Sequence, residues 1–149
     1  MKRVQHERTI HLAVLDYLRL RFPRGLVMHA ANEIGLSGKD VARQIAHAKH
    51  LGMVPGFPDL AVFTGDPESG GETLLFEVKA AGGCHSPAQK AVHEALRANG
   101  FRVAVVRSVQ DVEEVLEHWF GDLPDAWGAA GLVLIVFAGL GLRLLALRR

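Results

Sequence analysis

Residues 55–89 read PGFPDLAVFTGDPESGGETLLFEVKAAGGCHSPAQ, and this stretch decides the fold. Two apolar runs, 59–63 and 73–80, have the length and composition of strands. Between them, 66–72 is rich in Asp, Pro, Ser and Gly, which is turn chemistry. The two runs are therefore expected to pair as a hairpin. Pro55, Gly56 and Pro58 mark a tight loop before it. Ser86 or Pro87 opens a helix that runs to Asn99, with Gly100 just past its end.

Working outward, 8–22 carries a helical apolar stripe of Ile10, Val14, Tyr17 and Leu18 and is closed by Pro23 and Gly25. LVMHA at 26–30 is a short strand. Ser37 is an N-cap for a helix over 38–51, ended by Gly52. RVAVV at 102–106 is a further strand, and Ser108 caps a last helix reaching Phe120. The expected order is α, β, α, β, β, α, β, α. This predicts an α/β domain with a mixed central sheet flanked by helices.

Three ionisable residues lie on or beside the central strands. Asp59 opens the first, and Glu77 and Lys79 stand two apart on the second. Successive strand residues alternate faces, so Glu77 and Lys79 point one way and Val78 points into the core. Two carboxylates beside an ammonium suit a hard divalent cation. Magnesium takes oxygen ligands, commonly one or two carboxylates plus waters. The plain alternative is a surface ion pair on a solvated sheet face. Gln89, at a helix start, reads as a helix-end cap.

Composition bounds the partners. The 149 residues make about one domain. A hydrophobic share of 49% against 22% charged excludes wholesale disorder. All 16 acids and 14 of the 17 Lys and Arg precede residue 126, so the body is at −2 and the tail at +3. Bulk basicity is excluded, and any nucleic-acid affinity needs a local patch or metal ions. Lys39, Arg43 and Lys49, with His50, form the basic cluster expected near the site. Its readings are a phosphate-contacting face or a plain charged helix face. His47 and His50 are spaced for a shared metal, but no second ligand pair accompanies them. Cys84 is the sole cysteine, which excludes an internal disulfide and leaves it a bystander.

The chain divides into a body, 1–122, and a tail, 123–149. Residues 126–142 contain no charge, and Arg143, Arg148 and Arg149 follow. Seventeen apolar residues reach the lower limit of a membrane span. Three readings stand: a C-terminal transmembrane helix through 126–147, an apolar helix packed on a partner, or an extension without selected function. The N-terminal residues lack the apolar run of a secretory signal, so the cytoplasm is the expected compartment.

Pro58-Asp59 followed by Glu77-Val78-Lys79 resembles the PD-(D/E)xK nuclease motif. The flanking residues are similar to the VRR-NUC family. PGFPDL at 55–60, FEVK at 76–79, GG at 82–83 with SPAQ at 86–89, and GFRVAVVRS at 100–108 carry the resemblance. It extends over roughly residues 4–120.

The resemblance implies a restriction-endonuclease-like fold and a magnesium- or manganese-dependent nuclease acting on DNA. Branched, flapped or junction DNA is the implied substrate, and a homodimer the implied assembly. Asp59 and Glu77 are implied to bind the metal, with the Val78 carbonyl completing its shell. Lys79 positions or activates the water, and Gln89 orients Lys79 or a phosphate. Glu7 matches an N-terminal acid of the metal site. Four residues later, His11 stands where the family often has Gln. Asn32 and Ser86 join Lys39, Arg43 and Lys49 as implied DNA contacts. The rival class is a non-catalytic nucleic-acid-binding or membrane-tethered adaptor with the same fold.

Overall fold

The structure, a computed structural model, describes residues 2–30 and 40–121, without the side chains of 2–5. Asn32, Ser37 and Lys39, and the tail from residue 122, lie outside the described residues. The eight elements follow the expected order. They are α1 (Lys2–Arg21), β1 (Leu26–His29), α2 (Val41–His50), β2 (Leu60–Asp66), β3 (Gly70–Val78), α3 (Pro87–Ala98), β4 (Arg102–Val106) and α4 (Val109–Phe120).

The strands form one mixed sheet in the order β1-β2-β3-β4. β1 with β2 and β2 with β3 are antiparallel, while β3 with β4 is parallel. Parallel neighbours cannot be joined by a tight turn. α3 supplies the crossover between them.

Alternation along the strands sorts the sheet into two faces. Leu60 and Val62 of β2, Leu74, Phe76 and Val78 of β3, and Ala104 and Val106 of β4 share one core. Val14, Leu15, Leu18 and Phe22 from the α1 segment and Val112 and Leu116 of α4 cover it. Phe76 is fully buried and meets the Trp119 ring at 5.6 Å. Burial of that side chain contributes roughly 1.5–3 kcal/mol. The opposite face holds Ala61, Leu75 and Val103, packed by Phe57 and by Leu96 of α3. Glu77 is two residues past Leu75 and so lies on the α3 side.

Several boundaries differ from the sequence reading. α1 begins at Lys2 rather than residue 8. α2 begins at Val41 rather than residue 38, and its N-cap is Asp40, which makes no side-chain capping bond. Ladder pairing continues outward to Asp66 opposite Gly70, leaving only 67–69 as the turn. The turn is tighter than composition suggests because the Asp66 carboxylate accepts the N–H groups of Glu68 at 2.9 Å and Ser69 at 2.8 Å. Gly65 makes the close pairing possible: a Cβ there would stand 2.2 Å from the Gly70 oxygen. Correspondingly, β3 runs from Gly70 to Val78 rather than over 73–80.

Among the described residues no helix is long and apolar enough to cross a membrane.

Candidate functional site

The hairpin register places the carboxylates. Leu60 pairs with Phe76, so Asp59, one step before Leu60, is level with Glu77, one step after Phe76. Residues level across an antiparallel pair share a face. Asp59 Oδ2 accepts the Val78 N–H at 2.8 Å. Its backbone carbonyl accepts the Ala30 N–H at 2.8 Å and lies 3.0 Å from His29 Nδ1. The His29 ring in turn meets the His11 ring edge-on at 4.8 Å. The His11 position therefore stands behind Asp59 through β1.

Glu77 is completely buried. This corrects the surface ion-pair reading, which required a solvated sheet face. Lys79 Nζ sits 2.5 Å from Glu77 Oε1 and 4.0 Å from Glu7 Oε1. Gln89 Nε2 donates to the same Oε1 at 2.5 Å. Lys79, just past β3, and Gln89 of α3 thus meet at one oxygen, and Glu7 of α1 stands beside the lysine.

Gln89 caps α3 and also faces the site, where its side chain meets Glu77 rather than Lys79. Ser86, in extended backbone, caps α3 by accepting the Gln89 N–H at 3.2 Å. Gln89 Oε1 accepts the Ser86 N–H at 2.9 Å. One amide therefore closes a capping box with its oxygen and reaches Glu77 with its nitrogen. Pro87 stands in the first turn, where its missing N–H has no helical partner to lose.

A backbone approach fixes the helix against the loop. Gly56 has φ +88°, and a Cβ on it would fall 2.6 Å from both Ala88 C and Gln89 N. The loop preceding Pro58-Asp59 thus rests directly on the α3 N-terminus.

The charges interact strongly. Burial pushes the Glu77 carboxyl up to about 7, and Asp59 and Glu7 add to the rise against the opposing pull of Lys79. Burial would lower the Lys79 ammonium, but the Glu77 contact and the charges of Glu77, Asp59 and Glu7 outweigh it, and its pKa is raised. Lys79 is therefore an ammonium at neutral pH, fitted to hold water or anionic oxygen and unable to accept a proton in that form.

These donors suit a hard cation that brings its own water. Glu77 Oε2 is buried with no hydrogen-bond partner. Asp59 and Glu77 are level oxygen donors, and magnesium commonly uses only one or two carboxylates. Among the described residues no group of three or more His, Cys, Asp or Glu is placed to hold a metal ion. The Val78 side chain lies in the core, as strand alternation predicts, and its N–H meets Asp59.

The remaining expected residues fall elsewhere. Arg43 and Lys49 are exposed on α2, and Arg43 pairs with Asp40 at 3.6 Å. Nothing in their described contacts joins them to the carboxylates. Cys84 is exposed, its Sγ 3.9 Å from the Gly82 carbonyl oxygen.

Sequence reasoning missed two features. One is His93 of α3, 2% exposed, with Nε2 3.6 Å from Glu77 Oε2 and a ring 5.3 Å from that of His85. Its spacing of four from Gln89 is the signal that could have found it. The other is a second basic group. Lys79, Arg107, Lys90 and Arg97 all lie near enough to disfavour the His85 cation, after burial itself. Arg107 reaches the Gly83 carbonyl at 3.4 Å. Among the described residues these groups, and not Arg43 and Lys49, are the basic ones with described interactions around the site. Arg107 lies seventeen residues after Lys90, and only the β3–α3–β4 crossover unites them.

The model of one known family, described as the VRR-NUC domain, matches residues 17–110. No curated protein and no solved structure matches the chain.

Proposed function

This chain belongs to the VRR-NUC family, whose domain carries a nuclease-type function on DNA, and from that premise we propose that it is a metal-dependent endonuclease hydrolysing DNA phosphodiester bonds. The observation that carries the proposal is the convergence of Lys79 and Gln89 on a fully buried Glu77, with Asp59 level across the ladder and bound to the N–H of Val78. The restriction-endonuclease-like reading of the fold belongs to the same proposal. It is supported by the mixed sheet with the two carboxylates level on β2 and β3.

Magnesium is the proposed ion, with manganese as a substitute because oxygen-only donors accept both. Asp59, Glu77 and Glu7 would hold it, joined by the Val78 carbonyl. A divalent cation held there supplies Lewis-acid polarisation and lowers the pKa of bound water. Lys79 holds the attacking water and offsets charge developing on the phosphoryl oxygens. Gln89 keeps Glu77 oriented and ties that orientation to the α3 N-terminus. Ser86, Arg43 and Lys49, together with Asn32 and Lys39, are the proposed DNA contacts. Phosphate contacts of this kind set register without reading sequence. That favours branched or flapped DNA over a base sequence as the recognised feature, and a homodimer for paired cuts at a junction.

Labelled flap, junction and duplex DNA, each incubated with the protein and magnesium or manganese, tests the reading. Metal-dependent cleavage that prefers the branched forms supports it. DNA binding without cleavage under either metal would replace it with the adaptor reading. For the tail, we propose membrane association through 126–147 with the nuclease domain in the cytoplasm. Carbonate extraction checks this: full-length chain that stays with the membrane pellet supports it, and release into the supernatant excludes spanning.

A further inference from the structure

α3 turns two side chains toward Glu77, four residues apart and so on one helix face. Gln89 donates to Oε1. His93 brings Nε2 to 3.6 Å from Oε2. Both facing atoms, Glu77 Oε2 and His93 Nε2, are buried without a hydrogen-bond partner. Buried polar atoms are seldom left so, and two that face each other inside one site call for a shared function. The separation exceeds a hydrogen bond. Hydrogen bonds of catalytic centres are commonly long in the free protein and tighten in the complex.

The surroundings hold the imidazole in place. His93 is 2% exposed, and the His85 ring meets it edge-on at 5.3 Å and 79°. The terminal torsion of a glutamate is broad, so contacts at one oxygen leave the carboxylate plane free to turn. Lys79 and Gln89 both engage Oε1. Oε2 is the atom that still needs fixing.

We propose that His93 is a positioning residue: as the Nε2–H tautomer it fixes Glu77 Oε2, so that α3 holds both oxygens of the carboxylate and sets the edge it presents to a cation. The inference rests on the reading of Glu77 as a metal ligand. Partners that orient a ligating carboxylate typically contribute roughly 10–100-fold to metal affinity or activity.

The experiment uses the full-length protein and the variants His93→Leu, His93→Gln and Asp59→Asn. Leucine keeps volume without a donor, and glutamine restores an N–H at similar reach. Long-range proton–nitrogen spectra of the wild-type ring should report the Nε2–H tautomer. Calorimetric titration with manganese should show His93→Leu weakened by roughly tenfold or more, with His93→Gln recovering most of the loss. Cleavage should follow in kcat, with KM for DNA unchanged. If His93→Leu does not fold, the tautomer and the His93→Gln titration decide. An Nδ1–H tautomer overturns the proposal, as does equal impairment in both His93 variants. Wild type that binds manganese through Asp59 and cleaves, beside an unaffected His93→Leu, overturns this inference alone. Wild type that neither binds manganese nor cleaves overturns the reading of the site and this inference with it.

Discussion

Asp59 stands level with Glu77 across the β2–β3 ladder, and its carboxylate accepts the N–H of the very next residue, Val78, at 2.8 Å. One strand's side chain is thereby locked to the backbone that carries the other. The separation of the two carboxylates is consequently a property of the hairpin and not of loop conformation.

Isosteric amides test this arrangement. In Asp59→Asn the side-chain oxygen can still accept the Val78 N–H, and in Glu77→Gln the oxygen can still accept from Lys79 and Gln89. Both variants should melt cooperatively and lose cleavage to background in a radiolabelled-DNA assay. A rate within roughly tenfold of wild type, only about 1.4 kcal/mol of barrier, would remove these carboxylates from the centre.

Stability should respond to pH through two opposed groups. Glu77, raised from 4.5 to about 7, binds its proton more tightly when folded, so its contribution falls as pH rises through that window. His93, lowered from 6.5 to about 4 first by burial and then by His85 and Arg97, binds its proton less tightly when folded. Its contribution falls as pH drops through that window. Between pH 4.5 and 6.5 the two slopes oppose each other. Urea midpoints should therefore change little in wild type. Glu77→Gln should lose stability on acidification, and His93→Gln should lose it on approach to neutrality, each by at most about 1.4 kcal/mol per pH unit. Two flat profiles in the variants would contradict the burial of these groups.

Gly56→Ala should impair function beyond its cost in stability. Its left-handed backbone carries a penalty of roughly 1–2 kcal/mol for a side chain. The added carbon also meets Ala88 and Gln89 backbone atoms at 2.6 Å, so helix and loop must part. Thermal melts should show a lower Tm. Cleavage measured well below that Tm should still be slow, because Gln89 has moved from Glu77. Wild-type rate and Tm together would show that the loop does not bear on the helix.

Salt dependence should locate the DNA path. Lys90 and Arg107 share the surroundings of His85 with the site lysine. Lys90→Ala combined with Arg107→Ala should lower the slope of log affinity against log salt by roughly 2 if each meets a phosphate. Arg43→Ala with Lys49→Ala applies the same measurement to α2. A pair whose removal leaves the slope unchanged faces solvent.

The order of elements was legible because strand alternation and helix capping are local. Asp59, Glu77 and Lys79 stand out by their spacing on two strands, but their reading as a centre rests on the resemblance of PD, ExK and SPAQ to the family, and Gln89 by spacing alone reads only as a helix cap. The hairpin turn was misjudged because composition counts Gly70, Gly71 and Glu72 as turn residues, while the Asp66 side chain lets the ladder close earlier. His93 escaped because a histidine among helix residues has no local signature of burial; the sheet beneath it decides that. The basic group of Lys90, Arg97 and Arg107 needs the crossover before it exists at all.

Asp59, Glu77, Lys79, Gln89 and His93 all fall within one uninterrupted run of chain, a hairpin and the helix after it. Such a run makes its decisive contacts over short sequence separations, so it can assemble early, before α1 closes over the other face. It is also a unit that can be moved. New termini could be opened in the 67–69 turn's neighbours only at the cost of the register, whereas an extra segment joined after α4 leaves the run untouched. An extension joined there leaves these five residues in place, while α1 still adds Glu7 from the other end of the domain.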